Sequence, residues 1–88
     1  AELRRQIDGI DEQLLELLAK RMRISREIGV YKKEHNMPIL QSPRYSEILE
    51  KRSNMGEQMD LSTDFVKEIL KEIHEESVRQ QMIIMNEQ

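Results

Sequence analysis

The chain has 88 residues, of which 35% are charged, with a net charge of −3 and no cysteine. The acidic balance argues against a nucleic-acid partner. No apolar stretch approaches the roughly 20 residues of a membrane span. The lack of cysteine excludes disulfides and favours a cytoplasmic location. We therefore expect a single domain over residues 1–88. Because the chain starts at Ala1 without a methionine, we also expect it to be processed or cut from a longer polypeptide.

The first predicted helix runs from about Leu3 to His35 and carries a heptad seam of apolar side chains, the pattern of a helix packed lengthwise on other helices. The seam comprises Leu3, Ile7, Ile10, Leu14, Leu17, Ile24, Ile28 and Tyr31. Such a helix is about 50 Å long, whereas a compact chain of this size has a radius of gyration of about 12 Å. The helix must project beyond its own core, so we expect a homodimer.

A loop and a short helix follow the first helix. Pro38 indicates a loop over residues 36–41. Ser42 followed by Pro43 is typical of an N-cap with proline at the first helical position. The second helix is predicted to end near Ser53.

The third helix is predicted to begin after Ser62, its N-cap. It follows a connection over residues 54–60 that contains Gly56, and it continues to about Asn86. The chain is thus predicted to be all-α, with one long, one short and one medium helix that form an intertwined helical homodimer.

Polar residues interrupt the apolar faces of the first and third helices. Arg21 occupies a seam position, where a permanent charge needs an anion from the protein or from a ligand. Lys32 lies eleven residues further on nearly the same face, and Ser77 and Gln81 lie one turn apart on the inward face of the third helix. These residues favour an anion-binding site, but a structural bundle in which Arg21 pairs with Glu76 remains an alternative.

Three further residues are open to two interpretations. Arg4 lies about 25 Å from Arg21 along one helix, so it is either exposed or brought to Arg21 and Lys32 of another chain by antiparallel pairing. Arg44 is similarly ambiguous. Gly29 makes room either for a ligand or for a neighbouring helix.

Several kinds of site are missing from the sequence. His35 and His74 have no companions at the spacing of metal ligands, no glycine-rich phosphate loop is present, and Ser77 lacks a matched His and Asp. We expect no metal and no cofactor. What remains is a cationic, hydrogen-bonding pocket without an evident nucleophile.

Four segments, kept in order and spacing, resemble the all-helical chorismate mutases over essentially the whole chain. They are L-R-x-x-I-D-x-I-D (Leu3 to Asp11), L-L-x-L-L-A-x-R (Leu14 to Arg21), E-I-G-x-Y-K (Glu27 to Lys32) and E-S-V-x-x-Q (Glu76 to Gln81). The resemblance implies an isomerase that rearranges chorismate to prephenate in phenylalanine and tyrosine biosynthesis. It also implies an interlocked dimer.

The resemblance assigns roles to individual residues. It implies that Arg21, with Arg4 of the other chain, holds the two carboxylates, and that Lys32 and Gln81 flank the ether oxygen. Arg21, Lys32 and Gln81 are the implied catalytic residues. The implied substrate-binding residues are Arg4, Arg21, Ile28, Lys32, Arg44, Tyr45, Ser77 and Gln81.

The sequence departs from these relatives at two positions. Gln41 stands where an acidic residue is common, and Tyr45 stands where a glutamate helps to hold the ring hydroxyl of the substrate. This stretch resembles mutase domains fused behind a 3-deoxy-D-arabino-heptulosonate 7-phosphate synthase, so we expect such a fusion partner. Two alternatives are an isochorismate-pyruvate lyase and a non-catalytic, prephenate-sensing regulatory or dimerisation domain.

Overall fold

The computed structural model describes residues 1–40 and 42–87, apart from the side chains of residues 42 and 43. Within these ranges the chain forms three helices and no strand: α1 (Glu2–Glu34), α2 (Ser42–Gln58) and α3 (Thr63–Met85). The predicted all-α class is confirmed, and α1 and α3 lie within one residue of their predicted bounds. The predicted capping of α2 falls on side chains outside the described set, as does Gln41.

A tight reversal ends α1 and determines where the following loop lies. Asn36 takes a left-handed φ of 54°, which asparagine tolerates better than most residues. The N–H groups of Asn36 and Met37 donate back to the carbonyls of Lys33 and Lys32, at 3.4 and 2.8 Å. This Schellman arrangement turns the chain so that Ile39 comes to lie beside Lys32.

The predicted end of α2 at Ser53 was wrong, since the helix continues to Gln58. Gly56 is buried inside α2, and a Cβ built there would lie only 2.7 Å from Cγ2 of Val66 in α3. This glycine therefore allows α2 and α3 to approach closely, and it does not end α2. Asp60, with a φ of 62°, makes the actual reversal.

The start of α3 is as predicted. The Ser62 side chain accepts a hydrogen bond from the Phe65 N–H at 3.3 Å. This N-cap satisfies one of the donors that the first turn of a helix leaves unpaired.

α3 is the central helix, because both α1 and α2 pack against it, whereas no Cα atoms of α1 and α2 among the described residues come within 8 Å of each other. α1 approaches α3 closely at Gly29, where a Cβ would lie 3.2 Å from Cα of Gln81 and 3.3 Å from Cβ of Ile84. Gly29 therefore makes room for a neighbouring helix, which resolves the two interpretations of this residue.

The first half of α1 extends away from the other helices. All of residues 1–17 are exposed, and the seam residues Leu3 and Leu17 are 76% and 64% exposed. No apolar side chain in the described ranges is buried. The molecule measures 50 × 26 × 14 Å with a radius of gyration of 15.6 Å, larger than the ~12 Å of a compact chain this long. One chain alone thus has an incomplete core.

None of the helices in the described ranges has an apolar run long enough to cross a bilayer.

Candidate active site

A cavity of about 460 Å³ lies between the second half of α1, the start of α2 and the middle of α3. Seven of the eight residues assigned to substrate binding from the sequence line it: Arg21, Ile28, Lys32, Arg44, Tyr45, Ser77 and Gln81. The eighth, Arg4, is exposed in the projecting half of α1 and lies outside the cavity.

Ser77 organises the end of the cavity nearest Arg21. Nη1 of Arg21 donates to Ser77 Oγ at 2.5 Å, and the hydroxyl of Ser25, which is buried, donates to the same oxygen at 3.1 Å. Among the described residues, the Ser77 hydroxyl donates only to the sulfur of Met22, at 3.8 Å, which is a weak acceptor. Its proton is therefore available to a stronger acceptor, such as a carboxylate.

Lys32 and Gln81 form a second pair. Nζ of Lys32 donates to Gln81 Oε1 at 3.0 Å and to the carbonyl of Ile39 at 2.7 Å. Two of the three ammonium protons are thus engaged, and the third remains. Because the amide oxygen of Gln81 accepts from Lys32, its Nε2 is left as a donor. Gln81 is buried, so the direction of this donor is determined by the protein.

Positive charge is concentrated in the cavity. Arg21, Lys32, Arg44 and Arg52 line it, whereas its described lining contains no carboxylate. Burial lowers the pKa of Arg21, and the neighbouring Arg52 lowers it further. Burial likewise lowers the pKa of Lys32, with Arg44 as the second cause. Each of these positive charges makes it less favourable for the others to stay charged, so a bound anion would stabilise all four.

The structural alternative, a buried pair between Arg21 and Glu76, is not what the chain forms. Glu76 instead accepts hydrogen bonds from Arg79 and Gln80, both at 2.7 Å, on the same helix. Within the described ranges no carboxylate lies within 4 Å of the Arg21 guanidinium. The Arg21 guanidinium therefore still requires an anion from outside the described part of the chain.

Arg52 and His74 are two basic residues of the cavity that the sequence-based assignment did not include. Arg52 lies two turns beyond Arg44 on α2, and His74 lies one turn before Ser77 on α3. The rings of His74 and Tyr45 stack with their centroids 3.8 Å apart and their planes at 21°. Helical spacing places both near residues already assigned, but it does not by itself show that they face the cavity.

The chemistry available here is recognition of a compact anion. Guanidinium groups bind carboxylates in fixed geometry, and the hydroxyl of Ser77 and the amide of Gln81 add neutral donors. Among the described residues no cluster of three or more His, Asp or Glu side chains is arranged to hold a metal ion. The cavity thus presents mainly donors and positive charge.

Comparison with known proteins identifies the family. Residues 3–82 match the model of chorismate mutase type II. The chain is 35% identical over 75 residues to the T-protein of Enterobacter agglomerans, which covers 85% of this chain and 20% of that protein. It is also 35% identical over 83 residues to the bifunctional chorismate mutase/prephenate dehydratase of Buchnera aphidicola, covering 94% and 22%.

A third relative matches more closely over a shorter range. It is the bifunctional chorismate mutase/prephenate dehydratase of Aquifex aeolicus, 46% identical over 50 residues, or 57% of this chain and 14% of that protein. The chain spans about a fifth of the length of the first two relatives. The chain belongs to the chorismate mutase type II family, which confirms the family predicted from the sequence.

Proposed function

We propose that the cavity between α1, α2 and α3 binds chorismate and that its side chains catalyse the rearrangement to prephenate. The observation that supports this most strongly is that one cavity holds two hydrogen-bonded pairs of residues. Arg21 and Ser77 lie at one end, and Lys32 and Gln81 lie at the other. The family of the chain makes chorismate the natural ligand for such an arrangement.

The reaction explains why donors and positive charge suffice. Chorismate rearranges in one concerted step, in which a carbon–oxygen bond breaks while a carbon–carbon bond forms, and no proton is transferred. The protein must hold a flexible dianion in its reactive conformation and stabilise the negative charge that develops on the ether oxygen. Neither task requires a nucleophile or a general base.

The polar residues assigned from the sequence have proposed parts in these tasks. Arg21 holds one carboxylate of the substrate, and Ser77 and Arg44 line the same space. The free proton of Lys32 and Nε2 of Gln81 donate to the ether oxygen from two directions. Losing one such preorganised donor typically costs about 3 kcal/mol of barrier.

The remaining apolar contacts shape the cavity. Ile28 lies on α1 between Arg21 and Lys32 and supplies an apolar wall. Tyr45 supplies the wall on α2. Such walls exclude water, which strengthens the charge interactions inside.

We further propose that the active form is a homodimer. The exposed seam of α1 and the lack of a buried apolar side chain in the described ranges both support association, because an apolar stripe of this length is stabilised by another helix. An antiparallel second α1 brings Arg4 of one chain to the cavity of the other, where it binds the second carboxylate. Each site would then need both chains.

The domain is also proposed to belong to a longer polypeptide. Its relatives include proteins named as bifunctional, of which it spans about a fifth. The synthase fusion partner and the cytoplasmic location expected from the sequence stay predictions.

The proposed activity is tested by incubating the chain with chorismate and identifying the product by NMR. We expect prephenate above the uncatalysed rate. Lys32→Ala should lower kcat at least tenfold, that is, raise the barrier by at least about 1.4 kcal/mol, while Lys20→Ala, an exposed lysine on the same helix, should leave it unchanged.

Other outcomes would identify a different function. Release of pyruvate from isochorismate, without prephenate from chorismate, would indicate a lyase. Binding of prephenate without turnover would indicate a sensing domain. Retention of more than about a tenth of wild-type turnover by Lys32→Ala would contradict the proposed role of Lys32.

A further inference from the structure

The rings of Tyr45 and His74 stack in the wall of the cavity, where the proposed mechanism gives His74 no role. His74 is half-buried, and its ring nitrogens make no hydrogen bond with a described residue. No fully buried side-chain nitrogen or oxygen in the described ranges lacks a partner, so these nitrogens are accessible to solvent, and His74 lines the cavity. The imidazole is thus held by stacking and open to a ligand.

The surroundings of His74 keep it neutral. Burial and the charges of Arg21 and Lys32 lower its pKa, while Glu75 opposes them. A neutral imidazole has one nitrogen that accepts a hydrogen bond and one that donates. The charged groups around the ring are Arg21 and Lys32 of α1, Arg44 and Arg52 of α2, and Glu75 of α3 itself.

Acceptors are scarce elsewhere in this cavity. Gln81 Oε1 already accepts from Lys32, and Ser77 Oγ accepts from both Arg21 and Ser25. Chorismate offers its two carboxylates and its ether oxygen as acceptors, and its ring hydroxyl as the one neutral donor. A hydroxyl enclosed without an acceptor loses the hydrogen bond it makes to water.

On the basis of the proposed function, we propose that His74, held in place by Tyr45, accepts a hydrogen bond from the ring hydroxyl of chorismate and so determines specificity for hydroxylated substrates. The imidazole nitrogen is a better acceptor than the phenol oxygen of Tyr45. The role of Tyr45 is then to orient the ring of His74 by stacking.

The test compares chorismate with its analogue that carries hydrogen in place of the ring hydroxyl. We expect the wild type to prefer chorismate in kcat/KM by about tenfold, the order expected for one hydrogen bond. His74→Phe keeps an aromatic ring for stacking but removes the acceptor, so it should turn over both compounds equally. Tyr45→Phe keeps the stack and should retain the preference.

A third variant separates the loss of the acceptor from any change in the packing of the cavity wall. His74→Gln restores an acceptor without the ring and should recover part of the preference. Lowering the pH supplies an independent readout, because protonation turns the accepting nitrogen into a donor. Since burial lowers the pKa of His74, the wild-type preference should fade only at a pH below the ordinary histidine value of about 6.5. His74→Gln should show no such change.

Three kinds of result would contradict parts of this proposal. A wild type without the preference, or His74→Phe that keeps it, would overturn the role of His74. Loss of the preference in Tyr45→Phe with retention in His74→Phe would transfer the role to the Tyr45 hydroxyl. Failure of the wild type to convert chorismate would contradict the proposed function instead, and the dissociation constants of the same two compounds, by calorimetry, would still decide the acceptor.

Discussion

At the scale of single residues, the two polar atoms of the Gln81 amide have different roles: one bonds to the protein and the other is left for a ligand. Its amide oxygen accepts from Lys32 at 3.0 Å, which leaves Nε2 as the donor toward a ligand. The residue is buried on α3, where α1 approaches closely at Gly29. A donor fixed in this way costs no reorganisation when charge develops on a nearby oxygen.

Gln81→Glu tests this arrangement through the pH dependence of activity. As a carboxylate the new side chain pairs with Lys32 and cannot donate to the ether oxygen, whereas as a carboxylic acid it can. Pairing with a cation lowers a carboxyl pKa, so activity should appear only as pH falls toward and below the usual glutamate value of about 4.3. Initial rates of chorismate loss across pH measure this, and a profile equal to that of the wild type would contradict donation by Gln81.

The sequence revealed some of these residues because they break a pattern. Arg21 and Gln81 replace apolar residues at positions that helical periodicity marks as inward. His74 and Arg52 break no comparable pattern, since a polar residue on a short or mixed helix is expected to face water. Their place in the cavity depends on how α2 lies across α3, which periodicity within one helix does not determine.

At the scale of helices, α1 and α3 were predictable because each has a long apolar stripe and a clear boundary. The N-cap at Ser62 is one such boundary, with its side chain bonded to the Phe65 N–H. The end of α2 was not predictable, because Gly56 has two possible uses. Glycine weakens a helix by about 1 kcal/mol relative to alanine, but it also allows another helix to approach, and the sequence does not show which use applies.

Gly56→Ala measures this close approach. The added Cβ would lie 2.7 Å from Val66 Cγ2, and overpacking of this kind typically costs about 1–3 kcal/mol, more than the gain of about 1 kcal/mol in helix propensity. We expect a lower free energy of unfolding, by about 1 kcal/mol, in urea denaturation.

Two further variants make this test specific. Val66→Ala should cost less stability in the Gly56→Ala background than in the wild type, because the new methyl group fills the space that valine leaves. Gly9→Ala is the matched control, since a Cβ there meets nothing within 4 Å and should not be destabilising. Additive effects of Gly56→Ala and Val66→Ala would contradict direct contact between them.

At the scale of the whole molecule, one chain lacks two things that a second copy would supply. Its seam is exposed along the projecting half of α1, with Ile7 and Leu14 59% and 53% exposed. Its cavity holds seven of the eight residues assigned from the sequence, without Arg4. The same antiparallel pairing of α1 helices accounts for both, which links the stability of the proposed dimer to its activity.

The most direct test of this account is to combine a chain carrying Arg4→Ala with a chain carrying Arg21→Ala, each nearly inactive alone. In a heterodimer one site keeps both arginines and the other loses both. With random pairing, half of the dimers are mixed, so about a quarter of wild-type activity should return. Co-expression with two different affinity tags allows the mixed dimers to be purified and their rate of prephenate formation measured.

The matched control combines Arg21→Ala with Lys32→Ala. Both residues lie in the cavity of one chain, so each site of that heterodimer still lacks one of them and no activity should return. Recovery in the first pair alone is the result that this account predicts. Verified Arg4→Ala/Arg21→Ala heterodimers that stay as inactive as their parents would contradict a site shared between two chains.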